Sequence, residues 1–253
     1  MINKVVGTFD EAVSDIKDGA TLLVGGFGGP AECPSYLIAA IARKAIKNLT
    51  IVGNSGGWGT EFMEALIKRM SSIAKFPPDF YDLGLIVERG QVKKGIIAFP
   101  AAIGGIHTPF EKKVMNNEVE LELVGQGTIA ERIRAARAGI AAFYTPVGVG
   151  TFVGEGKEVR EFDGRKYLLE RALKADASLI RAHKADRYGN LVYKGSARTF
   201  NATMAGASKV TIAEVEEVVE LGALDPEHIV TPGLYVQRVV VRPRGPQPWD
   251  KPM

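Results

Sequence analysis

Val119-Glu120-Leu121-Glu122-Leu123-Val124-Gly125-Gln126-Gly127-Thr128-Ile129-Ala130-Glu131-Arg132-Ile133 carries the passage from strand to helix that decides the fold. Val119, Leu121 and Leu123 alternate with acids, the period-two pattern of a strand with one buried face. Ile129, Ile133 and Ala136 then fall on one face of a helical pattern, with Thr128 predicted as the N-cap and Glu131 three residues further on. Gln126 therefore stands at a strand-to-helix corner. In an open α/β sheet ligands bind in the crevice beyond the carboxyl ends of the strands, so a side chain at such a corner points at a ligand. Two readings fit Gln126. Its amide can donate to a developing oxyanion, stabilising negative charge without itself being an acid. It can equally close the corner by bonding to backbone.

The same unit recurs outward from this corner. Thr21-Leu22-Leu23-Val24 is a short apolar run ending in Gly25-Gly26-Phe27-Gly28-Gly29, and Ser35 to Ala45 then shows a helical pattern through Leu37, Ile38 and Ile41. Leu49-Thr50-Ile51-Val52 and Gly95-Ile96-Ile97-Ala98-Phe99 read as further strands. Short apolar strands separated by helices predict an α/β fold, a parallel open sheet with helices on both faces. Beyond about residue 150 the apolar runs come closer together, at Tyr167-Leu168-Leu169, Ser178-Leu179-Ile180 and Leu191-Val192-Tyr193. That spacing predicts a smaller mixed-sheet lobe. Residues 1–241 are then one domain of two tightly packed lobes with a boundary near 150, and 242–253, with Pro243, Pro246, Pro248 and Pro252, form an irregular tail.

Composition narrows the function classes. With 253 residues, 46% of them hydrophobic, the chain can bury a sizeable core. Lys and Arg number 32 against 29 Asp and Glu, with the signs interleaved, so no basic stripe suggests nucleic acid. No apolar run approaches the roughly 18 residues of a membrane span. No charged-then-apolar leader opens the sequence, and a cytoplasmic location is expected. A single cysteine, Cys33, rules out an internal disulfide. His107, His183 and His228 lack metal-ligand spacing, so no metal site is expected.

Three glycine-rich strand ends are candidate ligand contacts. Gly25, Gly26, Phe27, Gly28 and Gly29 can bring backbone amides close to a ligand, with the positive end of the helix beginning near Pro34 behind them; a tight turn needing positive φ explains the glycines equally well. Asn54 and Ser55, in Gly53-Asn54-Ser55-Gly56-Gly57, can orient a substrate carboxylate or make an Asx-turn. Glu155, flanked by glycines after Thr145-Pro146-Val147-Gly148-Val149-Gly150-Thr151, is either a nucleophile or a solvated turn.

The run Gly125 to Arg134, followed by Ala138-Gly139-Ile140 and Phe143 to Thr151, resembles the first of the two subunits of the family I coenzyme A transferases, in the group of the 3-oxoacid CoA-transferases. Asp18-Gly19-Ala20, Gly25-Gly26-Phe27-Gly28, Glu155 to Glu161, Asp186 to Leu191, Ser196 to Asn201 and Ile229 to Gly233 extend the resemblance over most of the chain. It implies a CoA-transferase and sugar-phosphate-isomerase type of sheet. It also implies a non-nucleophilic subunit that acts only with a partner subunit carrying the nucleophilic glutamate. An AB or A2B2 assembly, CoA as a substrate and no permanently bound cofactor go with it. Gln126 would be the oxyanion donor and the Gly25 to Gly29 loop the CoA contact. The resemblance argues against Glu155 as the nucleophile.

Two departures stand out. Glu32 occupies a position where the family has a small residue, and a carboxylate there would repel a thioester or phosphate, so either Glu32 turns away or the substrate is unusual. Residues 58–81 read as an insertion at the rim of the crevice, carrying Trp58, Phe62, Leu66 and Met70 at helical spacing. The insertion is either packing or a lid that shapes the acid pocket, with Trp58 in its wall. A hydrolase or ring-opening relative on the same fold, and a ligand-sensing module of the sugar-phosphate-isomerase fold, are the competing functions.

Overall fold

The structure, a computed structural model, describes residues 2–27, 32–70, 81–101 and 107–243, without the side chains at 66, 67 and 70. Gly28, Gly29 and much of the expected 58–81 lid thus lie outside the described residues. In chain order the elements are α1 (Phe9–Ala12), β1 (Thr21–Val24), α2 (Ser35–Arg43), β2 (Leu49–Ser55), α3 (Thr60–Met70), α4 (Gly84–Glu88), β3 (Val92–Phe99), α5 (Pro109–Met115), β4 (Glu120–Leu123) and α6 (Gln126–Arg137). They continue with β5 (Ala142–Thr145), β6 (Val159–Phe162), β7 (Arg165–Arg171), β8 (Ala175–Asp186), β9 (Leu191–Val192), α7 (Phe200–Met204), β10 (Ser208–Val219) and β11 (Arg238–Val241).

Seven strands form one parallel sheet in the order β11-β10-β8-β1-β2-β3-β4, with β9 antiparallel on β8. The first strand of the chain lies at the centre, where Leu22 faces Ile51 of β2 on one side and Ala177 of β8 on the other. Alternation along β1 divides its side chains between two cores. Leu22 and Val24 pack with Leu37, Ile38 and Ile41 of α2, while Leu23 packs with Ile129 and Ile133 of α6 and Met204 of α7. Each such fully buried aliphatic side chain contributes about 1.5–3 kcal/mol by leaving water, and both sheet faces are covered.

The second sheet is small and antiparallel, in the order β5-β7-β6. It occupies residues 142–171, beginning just before the boundary expected near residue 150. β8, β10 and β11 then return to the large sheet. The strands from residue 175 onward are therefore not a lobe of their own. The sequence pattern could not separate them, because a strand buried on both faces reads alike in either sheet. No described helix is long and apolar enough to cross a membrane.

Candidate active site

Because β1 to β4 run parallel, their carboxyl ends share one edge, and there Gly25, Asn54 and Gln126 come together. Gly25 extends the ladder by donating its N–H to the Leu179 carbonyl at 2.9 Å. A Cβ at Gly25 would lie 1.8 Å from Asn201 Oδ1, so glycine is required for Asn201 to approach. Gly26 has φ +106°, and a Cβ there would lie 2.9 Å from Cys33 Sγ. For these two glycines the structure shows backbone and packing demands. Asn201 is fully buried; its Oδ1 accepts the Arg181 N–H at 2.8 Å, and its Nδ2 donates to the Glu32 carbonyl at 2.9 Å and the Ala197 carbonyl at 3.1 Å.

Phe27 then leaves the sheet, half-exposed, with its ring stacked on Phe200 at 6.5 Å between centroids. Its backbone is held from both sides. The N–H donates to Glu32 Oε2 at 2.6 Å, and the carbonyl accepts Asn54 Nδ2 at 2.7 Å. Glu32 thus turns back into its own loop and is only 7% exposed.

Helix α6 begins at Gln126, with Gly125 as its N-cap residue and no side-chain cap bond. The expected cap at Thr128 is therefore corrected. Ile129 N–H already bonds to the Gly125 carbonyl at 2.9 Å, so Thr128 sits inside the first turn, with its buried hydroxyl unpartnered among the described residues. Glu131 pairs with Arg134 at 2.8 Å instead of capping. Gln126 consequently occupies the first helical position, and its Nε2 donates to Asn54 Oδ1 at 2.5 Å. The amide has a second N–H, and the orphan N–H groups and positive end of α6 lie beside it. Gln126, Phe27, Phe200 and Arg198 line one open groove of about 410 Å³.

The helix behind the glycine loop behaves otherwise than expected. The Tyr36 and Leu37 N–H groups at the start of α2 donate to Glu214 Oε2 at 2.9 and 3.1 Å. A carboxylate of the chain already occupies that positive end, which is unavailable to a ligand. Glu214 is fully buried, and burial pushes its carboxyl up against the opposing pull of Arg242 and Arg181.

Ser55 and Trp58 lie to one side. Both line a small recess with Phe99, Pro100 and Thr108, distinct from the Gln126 groove, while Ser55 also borders a second small cavity with Gly25, Gly26 and Asn54. Trp58 stacks on Phe62 at 4.8 Å, and both pack against the core under β1 and β2. The turn before α3 is anchored by buried Asp82, which accepts the N–H groups of Trp58 at 2.5 Å, Gly59 at 3.2 Å and Gly84 at 2.9 Å. Burial pushes the Asp82 carboxyl up, against those three bonds. Cys33 is buried too, and burial drives its thiol far above its ordinary value, with the Asp82 and Glu32 charges adding to the shift.

Glu155 is exposed, just past the single turn at Phe152–Gly154. Each histidine faces a carboxylate: His107 meets Glu111 at 2.9 Å, His183 meets Glu216 at 2.9 Å and His228 meets Asp225 at 3.3 Å. Sequence reasoning missed Arg198, Phe200 and Asn201 as site residues. Their segment was visible only as part of the resemblance, with no spacing that ties it to Gln126.

Residues 6–71 and 69–242 match the coenzyme A transferase family profile. The chain is 45% identical over 240 residues to the A-type subunit of the 3-oxoadipate CoA-transferase of Pseudomonas putida, covering 95% of this chain and 94% of that one. It is 44% identical over 238 residues to the A-type subunit of the succinyl-CoA:3-ketoacid coenzyme A transferase of Helicobacter pylori strain J99, covering 94% and 92%. Among solved structures, the acyl-CoA transferase YdiF of Escherichia coli O157:H7, in a thioester complex with CoA, superposes with a TM-score of 0.78 at 24% identity. That superposition covers 98% of this chain and 49% of the solved one, so the chain spans about half the length of YdiF.

Proposed function

The chain belongs to the coenzyme A transferase family, and from that premise we propose that it is the A-type, first subunit of a succinyl-CoA:3-ketoacid or 3-oxoadipate CoA-transferase, with the Gln126 groove at its reacting centre. The names of the relatives, each an A-type subunit, imply a second, B-type partner. In this reading the partner supplies a glutamate, and the complex is an AB pair or an A2B2 heterotetramer.

The glutamate carboxylate attacks the acyl-CoA carbonyl carbon. The C–S bond breaks, and CoA thiolate leaves behind an acyl–glutamyl anhydride. The thiolate then attacks the glutamyl carbonyl, releasing the acyl group as a carboxylate and leaving a glutamyl–CoA thioester. An incoming carboxylate repeats the two steps in reverse and departs as the new acyl-CoA. Every step passes through a tetrahedral oxyanion, and the thioester energy is kept in the enzyme bond.

The observation that carries this reading is the bond from Gln126 Nε2 to Asn54 Oδ1 at 2.5 Å, which fixes the amide plane before substrate arrives. A donor already oriented costs no reorganisation as charge develops. The Phe27 loop, held at both its N–H and its carbonyl, would form one wall beside the CoA thioester. The test is reconstitution: co-purified with its partner subunit, the chain should transfer CoA from succinyl-CoA to acetoacetate or 3-oxoadipate. A complex that only hydrolyses the thioester would overturn the proposal.

A further inference from the structure

We propose that Arg198 is a specificity residue that pairs with the substrate's second carboxylate, the one remote from the reacting carbonyl; this rests on the transferase reading above. Arg198 closes the single turn Gly195–Arg198 and is exposed. Among the described residues lining the groove with Gln126 it is the one that carries a charge. Among the described residues its guanidinium has no hydrogen bond or ion pair. Arg137, which lines the adjoining groove, is committed elsewhere: it lies 3.9 Å over the Tyr235 ring and donates to the Ala202 carbonyl.

The backbone that carries Arg198 is fixed. Asn201 Nδ2 holds the Ala197 carbonyl at 3.1 Å, and Thr199 returns both its N–H, at 3.1 Å, and its hydroxyl, at 2.8 Å, to the Ser196 carbonyl. The same Asn201 is packed against Gly25, so the Arg198 turn and the end of β1 are referenced to one buried side chain. A planar fork of N–H donors carried on that fixed turn, in a groove walled by Phe27 and Phe200, suits a carboxylate bidentately.

The substrates in the names of the relatives supply such a group. Succinyl-CoA has a free carboxylate, and 3-oxoadipate a second one, a few bonds from the reacting carbon, whereas acetoacetate has none besides the reacting group. The phosphates of CoA are separated from the thioester by the pantetheine arm, about 10 Å or more of extended chain. That places them away from a residue sharing one groove with the oxyanion donor.

The test compares donors in the complex with the partner subunit. In a ping-pong scheme each donor's kcat/KM is independent of the acceptor, so succinyl-CoA and acetoacetyl-CoA can be measured separately. Arg198→Gln should lower kcat/KM for succinyl-CoA about 10–100-fold, the usual worth of a charged hydrogen bond, and change acetoacetyl-CoA by less than about threefold. Arg198→Lys keeps the charge but not the fork and should fall between. Equal loss with both donors, or none with either, overturns the assignment while the wild-type activity keeps the transferase reading intact. A wild-type complex that transfers CoA from neither donor takes down that reading and this assignment together.

Discussion

Gln126 Nε2 lies 2.5 Å from Asn54 Oδ1, joining the first turn of α6 to the end of β2 across 72 residues of chain. Asn54 Nδ2 in turn holds the Phe27 carbonyl at 2.7 Å, so one asparagine orients both the amide and the loop that would flank a reacting carbonyl.

Replacing Gln126 by Ala should lower kcat about 10²–10³-fold in the assembled complex, the usual loss for one oxyanion donor. Gln126→Glu should be worse, because it sets a carboxylate against Asn54 Oδ1 and against developing negative charge. Asn54→Asp keeps an acceptor for Gln126 but removes the donor to Phe27, and should cost about 1–3 kcal/mol of transition-state stabilisation. A Gln126→Ala enzyme within twofold of wild type would reduce Gln126 to a corner residue.

Glu32→Ala should destabilise the chain. It leaves the Phe27 N–H, now 2.6 Å from Glu32 Oε2, without its acceptor, at a cost of about 1–3 kcal/mol in urea unfolding. Glu32→Gln, which retains a carbonyl oxygen, should recover most of that. An Ala variant with the wild-type midpoint would show that the carboxylate does not hold the loop.

Purified alone, the chain should show no acyl-CoA:carboxylate transfer, and Glu155→Ala should leave the reconstituted complex within about twofold of wild type. Glu155 is exposed at a turn. Turnover by the isolated chain that vanishes with Glu155→Ala would reassign the nucleophile.

If Trp58 shapes the acid pocket from its recess, Trp58→Ala should alter the preference between short and bulky acids by roughly 10–200-fold in kcat/KM, with KM for CoA little changed. The stacking of Trp58 on Phe62 against the core offers the contrary outcome. A uniform loss across the acid series, in step with a lowered Tm, would make the segment packing only.

Burial holds the Cys33 thiol protonated, so iodoacetamide at pH 8 should leave the native protein unlabelled and modify it in urea. Above about pH 8.5 the unfolded thiol ionises while the folded one does not, so the Cys33 contribution to stability declines with rising pH and should be absent in Cys33→Ala. Rapid labelling of the folded chain would refute the burial.

The parallel sheet was legible because each central strand is a short apolar run followed by a helical period. Gln126 was legible because a polar residue between glycines interrupts the strand-to-helix passage. What escaped was set by contacts distant in sequence. The cap of α2 is Glu214, 178 residues beyond Tyr36, and no local pattern announces it. Asn201 sits beside Gly25 only because β8 and α7 fold back against β1, which also brings Arg198 into the groove. The start of α6 was misplaced because Gly125 serves as N-cap without a side chain, while Thr128 and Glu131 imitate a capping box.

The central place of β1 has a consequence in time. Its neighbour on one side is β8, and the Thr21 N–H closes onto Asp176 Oδ2, 155 residues later in the chain. During synthesis β1 can pair with β2 at once, but its other edge stays open until β8 has been made. An unpaired apolar strand edge of that kind invites wrong partners, and closing so long a loop is slow. The nascent chain is therefore most vulnerable to aggregation over the interval in which residues 56–174 emerge, and its yield depends on what shields that edge until β8 arrives.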